Sequence, residues 1–228
     1  MLSQELQHPF TRALALSFDS WLCQWMGDVE TVRERAADAL AIATEQGFQF
    51  WIGWDEIMLG WCEAASGEHQ AGLERMTRGL ESWRAVGSEL GTTYFLVLIA
   101  DVQRAAGLGD EAWLSLHEAD EVARRTQEGW WAPELHRIRG DLLRLRGASD
   151  AEVEHELARG LELAQQRGSH SLSVRVATTL AQHLLERGHG EVAREVLDAE
   201  LARFAEIELA GDAAVPRAQA LFDARSPA

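Results

Sequence analysis

The sequence predicts an all-α solenoid of helical hairpins. Three observations carry that prediction: two ladders of evenly spaced glycines, a shortage of proline, and small residues recurring at fixed positions. Gly27, Gly67, Gly107, Gly147 and Gly188 lie 40, 40, 40 and 41 residues apart, and Gly47, Gly87, Gly129, Gly168 and Gly211 fall about half a period away. Glycine is favoured just past a helix end, where the left-handed backbone carries no Cβ penalty. The two ladders therefore mark two helix ends per repeat, in five repeats. Between Pro9 and Pro216 the only proline is Pro133, at a position that a first helical turn tolerates.

The helix before each first-ladder glycine is designated A and the next one B. A helices are expected over 10–26, 49–66, 89–106, 131–146 and 170–187, and B helices over 28–46, 68–86, 110–128, 150–167 and 190–209. Each A helix carries an apolar pair nine and five residues before its glycine: Phe18 and Leu22, Met58 and Cys62, Leu98 and Val102, Ile138 and Leu142. The fifth helix departs, with Thr179 and His183. Seven residues before the glycine stand Ser20, Gly60, Ala100, Gly140 and Ala181, all small and on the opposite side. A helix apolar on one side and small on the other packs on both.

The B helices begin with acids that complement the helix dipole: Asp28 and Glu30, Glu68, Asp110 and Glu111, Asp150 and Glu152, Glu191. Their cores place Ala39 beside Leu40, Gly79 beside Leu80 and Gly160 beside Leu161. The third B helix fits only after a two-residue shift, which brings Leu116, Ala119 and Ala123 into register. Close packing of small residues between A and B is the tetratricopeptide arrangement, although the period exceeds the usual 34 by about a turn in each helix. The expected architecture is a tetratricopeptide-like right-handed superhelix of about five hairpins over residues 1–211. Residues 212–228 would add a short cap near 215–224 and a fraying tail.

Composition narrows the function. The 228 residues carry a net charge of −16, with acids in every repeat. Nucleic-acid binders need a basic stripe, so direct DNA or RNA binding is not expected, and a basic peptide or protein surface is the natural partner. All 21 basic residues are arginine, and lysine and asparagine are absent, which fits a GC-rich bacterial genome. A GxxxxGK phosphate loop cannot exist without lysine, and the eight histidines show no metal-ligand spacing. Neither catalysis, a cofactor nor a metal is expected. Cys23 and Cys62 read as reduced, buried thiols. Met1–Phe10 carries Glu5 and His8 instead of a basic-then-apolar run, and Tyr94–Ala100, the longest apolar stretch, is too short for a bilayer. The expectation is a cytoplasmic protein; homo-oligomerisation stays open.

The repeat register also selects a candidate partner-binding column on the A helices, at offsets thirteen, six and three before the glycine. It contains Trp21, Trp54, Trp61 and Tyr94, then the charged residues Asp101, Arg104, Asp141 and Arg144. A helices line the inner face of such superhelices, and Trp, Tyr and Arg dominate binding hot spots. The competing reading is inter-repeat packing for the aromatics and braced helix faces for the Asp/Arg pairs. Trp25, Trp51, Trp83, Trp113, Trp130 and Trp131 read as structural. Asp55 stands where other repeats carry Ala15, Phe95 and Leu135; a carboxylate buried there would need partners, and an unusual contact or a ligand is the lesser of the readings it leaves open.

Residues 43–51, 130–143 and 164–172, above all the Trp130-Trp131…Glu134-Leu135-His136-Arg137…Arg139-Gly140 pattern, resemble a known region. It is the C-terminal tetratricopeptide-like region of large bacterial signalling ATPases, whose P-loop core is fused to a nucleotide cyclase, a protein kinase or a transcriptional activator. The resemblance covers about residues 8–205 and implies a sensory or partner-binding role. The enzymatic domains are absent, so no ATPase, cyclase or kinase activity is implied. The end departs from the family, with Phe204–Gly211 replacing an aromatic-rich closing segment. The implied function is a non-catalytic scaffold that binds a peptide or protein and regulates a signalling protein. The alternative is a receptor for a small molecule or short peptide that changes superhelical pitch.

Overall fold

The computed structural model describes residues 8–205 and 213–223. These form eleven helices and no strand: α1 (Pro9–Met26), α2 (Val29–Gln46), α3 (Gln49–Ala65), α4 (His69–Ala85), α5 (Thr92–Ala105), α6 (Gly109–Thr126), α7 (Ala132–Leu145), α8 (Asp150–Gln166), α9 (His170–Glu186), α10 (Gly190–Ala205) and α11 (Ala214–Asp223). The chain is an all-α helical solenoid. It divides into two compact units, Met1–Glu128 and Gly129–Ala228. Gly211, the end of α10 expected over 206–209, and the tail 225–228 lie outside the described residues.

In the first unit, three antiparallel hairpins stack in sequence order: α1 with α2, α3 with α4, and α5 with α6. The A helices α1, α3 and α5 are neighbours, each B helix closes against its own A helix, and α2 and α4 also pack on the next one. Trp54, Ile57, Met58, Met76, Trp83 and Phe95 are among the largest side chains of this core, each 0% exposed. Aromatic rings knit it together: Trp54 lies 5.6 Å from Trp83 and 5.3 Å from Phe95, and Trp83 lies 5.5 Å from Phe95.

The α3–α4 pair approaches most closely at its glycines. A Cβ on Gly60 would stand 2.7 Å from the Gly72 carbonyl, and one on Gly79 would stand 2.8 Å from the Gly53 carbonyl. Small residues of A do face small residues of B, but Gly60 meets Gly72 and Gly79 meets Gly53, antiparallel and crosswise.

Eight ladder glycines adopt positive φ, between 63° and 99°. Gly129 does not. The left-handed residue there is Gln127, at φ 60°, whose side-chain amide donates to the Arg124 carbonyl at 2.8 Å. The helix therefore ends two residues before the ladder position, which accounts for the two-residue shift of Leu116 and Ala119. α5 begins at Thr92 and not near 89, because Gly91 takes φ 69° and its N–H donates to Glu128 Oε1 at 2.8 Å.

The second unit holds the hairpins α7–α8 and α9–α10, with α11 packed on α9. Ser149 caps α8 through a reciprocal pair with Glu152, which satisfies two amide donors at once. Ala214 and Ala218 of α11 join Leu180, Ala181, Leu184 and Leu197 in one apolar cluster, and the Arg194 guanidinium sits 4.3 Å from the Phe222 ring centre. α11 thus packs on the last hairpin through α9 and this shared cluster.

Candidate functional site

On α3 and α5 the candidate column divides along the length of the helix, whereas on α1 the order reverses, Leu14 being exposed and Gln24 buried. At its N-terminal position, thirteen residues before the glycine, Trp54 and Tyr94 are 0% exposed. They are core residues in this structure and offer no surface to a partner. Three successive A helices bring their rings together: Trp21 lies 4.6 Å from Trp54 and 5.3 Å from Tyr94. Further toward the C-terminal ends of the helices the column opens. Trp21, Trp61, Asp101 and Arg104 are all half-buried.

Arg104 Nε lies 3.0 Å and its Nη2 2.9 Å from Asp101 Oδ1, an i,i+3 clamp along α5. In the second unit Arg144 makes the same clamp on Asp141 and extends to Glu186 of α9 at 3.1 Å. Burial works against the Arg144 charge, but these carboxylates outweigh it and hold the guanidinium above its ordinary pKa. Asp141 is buried and Arg144 half-buried, so this pair braces α7 to α9 and leaves only part of the guanidinium accessible.

Several partners of these residues carried no sequence signal. The Tyr94 hydroxyl donates to Gln24 Oε1 at 2.7 Å, across 70 residues. Glu134, in the column one repeat after Tyr94, is 3% exposed and takes two hydrogen bonds of 3.0 Å from Arg137, with Arg175 at 3.7 Å. Its i,i+3 spacing to Arg137 was readable; its burial was not.

Asp55 is fully buried, as its position in an apolar row implied. Ser17 Oγ donates to Asp55 Oδ2 at 3.2 Å, while Oδ1 has no hydrogen-bond partner. Burial pushes the carboxyl well above its ordinary pKa, the Ser17 bond offsetting only part of that. A neutral acid inside the aromatic core is the consistent state. His183 is also fully buried but makes no hydrogen bond through either ring nitrogen; Asp150 and Glu154 stand 3.7 and 3.9 Å from Nε2. Cys23 and Cys62 are free and buried, and burial raises the Cys62 pKa to about 12.

Among the described residues no group of three or more His, Cys, Asp or Glu is placed to hold a metal ion. No described helix is long and apolar enough to cross a membrane.

No protein-family model matches the chain. An uncharacterized protein of Rhizobium meliloti is 24% identical over 180 residues, covering 79% of this chain. The chain spans only 18% of that relative's length. Among solved structures, the nearly identical TPR-like repeats described as those of a kinesin light chain of Podosopora anserina superpose with a TM-score of 0.55. They are 16% identical in sequence, and the match covers 89% of this chain and 99% of that one. A single-substitution variant of the same repeats gives a TM-score of 0.57 at 17% identity, covering 88% and 98%. The chain therefore has a tetratricopeptide-like repeat fold. Stacked helical repeats of this class present extended surfaces that such proteins use for binding.

Proposed function

We propose that the chain is a non-catalytic interaction module that binds a peptide or protein segment on the open, C-terminal part of the A-helix column. The observation that carries this reading is the change along the column. Trp54 and Tyr94 form a packed floor, whereas Trp61 and the Asp101–Arg104 pair keep exposed surface at matching register on α3 and α5. A rigid floor holding a half-exposed tryptophan and a clamped arginine is the makeup of a binding hot spot. The net charge of −16 favours a basic partner segment. The resemblance to the repeat region of bacterial signalling ATPases, and a much longer Rhizobium relative, support a role as the sensory or regulatory part of a cytoplasmic signalling system.

The test is fluorescence anisotropy with labelled basic, neutral and acidic peptide pools, on the chain and on its Trp61→Ala and Arg104→Ala variants. Basic peptides should bind, and each variant should bind at least about tenfold more weakly with helicity unchanged. No binding by any pool, or equal affinity in both variants, would overturn the assignment.

A further inference from the structure

The ends of three helices in the second unit meet around a small cleft. Its walls include Gln165 at the end of α8, Ser169 and His170 at the start of α9, and Glu200 and Arg203 near the end of α10, and they bound about 250 Å³. Glu200 is 2% exposed, yet its carboxylate is satisfied on one oxygen only. Oε1 accepts from Gln165 Nε2 at 2.7 Å and from Arg203 Nη1, whereas Oε2 is buried and accepts no hydrogen bond. A buried carboxylate oxygen without a donor is costly, and no neighbouring side chain supplies one. The first turn of α9 is incomplete in the opposite sense. Its amides, at His170, Ser171 and Leu172, have no acceptor within the helix. The Ser169 side chain makes no cap hydrogen bond to them, and no acid stands in the turn. That end of the 17-residue helix therefore offers free donors and a partial positive charge.

We propose that this cleft binds a free α-amino acid, its ammonium group donating to Glu200 Oε2 and its carboxylate accepting from the first-turn amides of α9. Charge selects a ligand with both signs. A simple ammonium ion on Oε2 would stand beside Arg203 and the positive end of α9, and a simple anion at the helix end would share the cleft with Glu200. A zwitterion meets each pole with its opposite. It also brings no net charge into a cleft whose Glu200 and Arg203 already cancel. The volume suits a ligand of this size, lying below the roughly 300–1,000 Å³ of pockets for larger molecules. The site shares no residue with the A-helix column and does not rest on the peptide-binding reading.

The experiment is thermal melting of the full chain with each common L-amino acid in turn, and with ethylamine and propionate, all at about 5 mM and equal ionic strength. At least one amino acid should raise Tm saturably by about 2 °C or more, and the amine and the acid alone should not. Glu200→Gln, which keeps the shape and removes the charge, should bind that amino acid at least about tenfold more weakly. Ser169→Asp supplies a cap of its own. Asp28 caps α2 through the Thr31 amide from φ −82° and ψ 85°, close to the −89° and 79° of Ser169. That variant should keep its fold and lose the ligand, because its carboxylate occupies the same amides. It decides the matter if Glu200→Gln fails to fold. No shift from any amino acid, which would leave a cleft filled by water alone, an equal shift from ethylamine or propionate, or an unchanged shift in a folded variant would each overturn the proposal.

Discussion

Tyr94 and Gln24 lie 70 residues apart in sequence, yet the tyrosine hydroxyl donates to the glutamine Oε1 at 2.7 Å. Both are buried, at 0% and 3% exposure, and the bond spans from the third hairpin of the first unit back to the first. An ordinary stack of repeats needs only neighbour-to-neighbour contacts. This contact skips a repeat and ties α1 directly to α5. Tyr94→Phe should leave the buried Gln24 oxygen without this donor and cost about 1–3 kcal/mol, read as a lower urea midpoint. A midpoint equal to wild type would show that the bond contributes nothing net.

Asp55 should make stability depend on pH in a direction opposite to that of a salt-bridged carboxylate. Burial raises its pKa in the folded chain, so folding takes up a proton between the unfolded value of about 3.9 and the higher folded one. Its stabilising state is therefore complete below the unfolded value and is lost as pH rises through the folded one, at up to about 1.4 kcal/mol per pH unit. Asp55→Asn keeps the shape and removes the ionisation. Denaturation midpoints measured against pH should show the variant without this slope and more stable at neutral pH; parallel curves would mean that Asp55 does not titrate.

Gly72 should tolerate no side chain. Its added Cβ would lie 2.5 Å from the Gly60 carbonyl and 2.8 Å from the Ala64 amide nitrogen, both backbone atoms that cannot swing aside. Although alanine is the better helix former, Gly72→Ala should destabilise by about 1–3 kcal/mol or more, through α3 being pushed away. Thermal melting gives the sign directly, and a stabilised variant would contradict the close approach.

Cys62 should be nearly inert while the chain is folded. Burial lifts its thiol pKa to about 12, against an ordinary value near 8.5, so the thiolate fraction at neutral pH drops by about a thousandfold or more. Labelling by a thiol-reactive chromophore should therefore report opening of the α2–α3 seam and quicken sharply in mild denaturant. Rapid labelling in native buffer would place Cys62 at the surface.

The hairpin plan was legible because it is written in backbone requirements. A helix that must end in a left-handed turn, or touch its neighbour at backbone distance, leaves a glycine at a fixed place, as Gly67 and Gly60 do. The Gln127 exception was legible only as a misfit, since a side-chain bond to Arg124 substitutes there for the missing glycine. The candidate site was less readable. Register places Trp54 and Trp61 in the same column, but not the depth to which neighbouring rings close over each. For Trp54 that depth depends on Trp21 and Phe95, from the A helices one repeat to either side, a relation that local periodicity does not encode. The burial of Asp55 followed from its row; the identity of its partner, Ser17, did not.

The crossed glycine pairs of α3 and α4 also fix where this solenoid can bend. With backbone against backbone at Gly60–Gly72 and at Gly53–Gly79, the two helices have no compressible side chains between them at either point. Two such points define a rigid strut, and rotation of one helix about the other would drive carbonyls into Cα atoms. In the second unit, Gly140 instead meets the flexible tip of Leu157, which can yield. The α7–α8 hairpin thus has one yielding contact, at Gly140, and one at backbone distance, where a Cβ on Gly160 would stand 3.1 Å from the Pro133 carbonyl, so its compliance is confined to the Gly140 end.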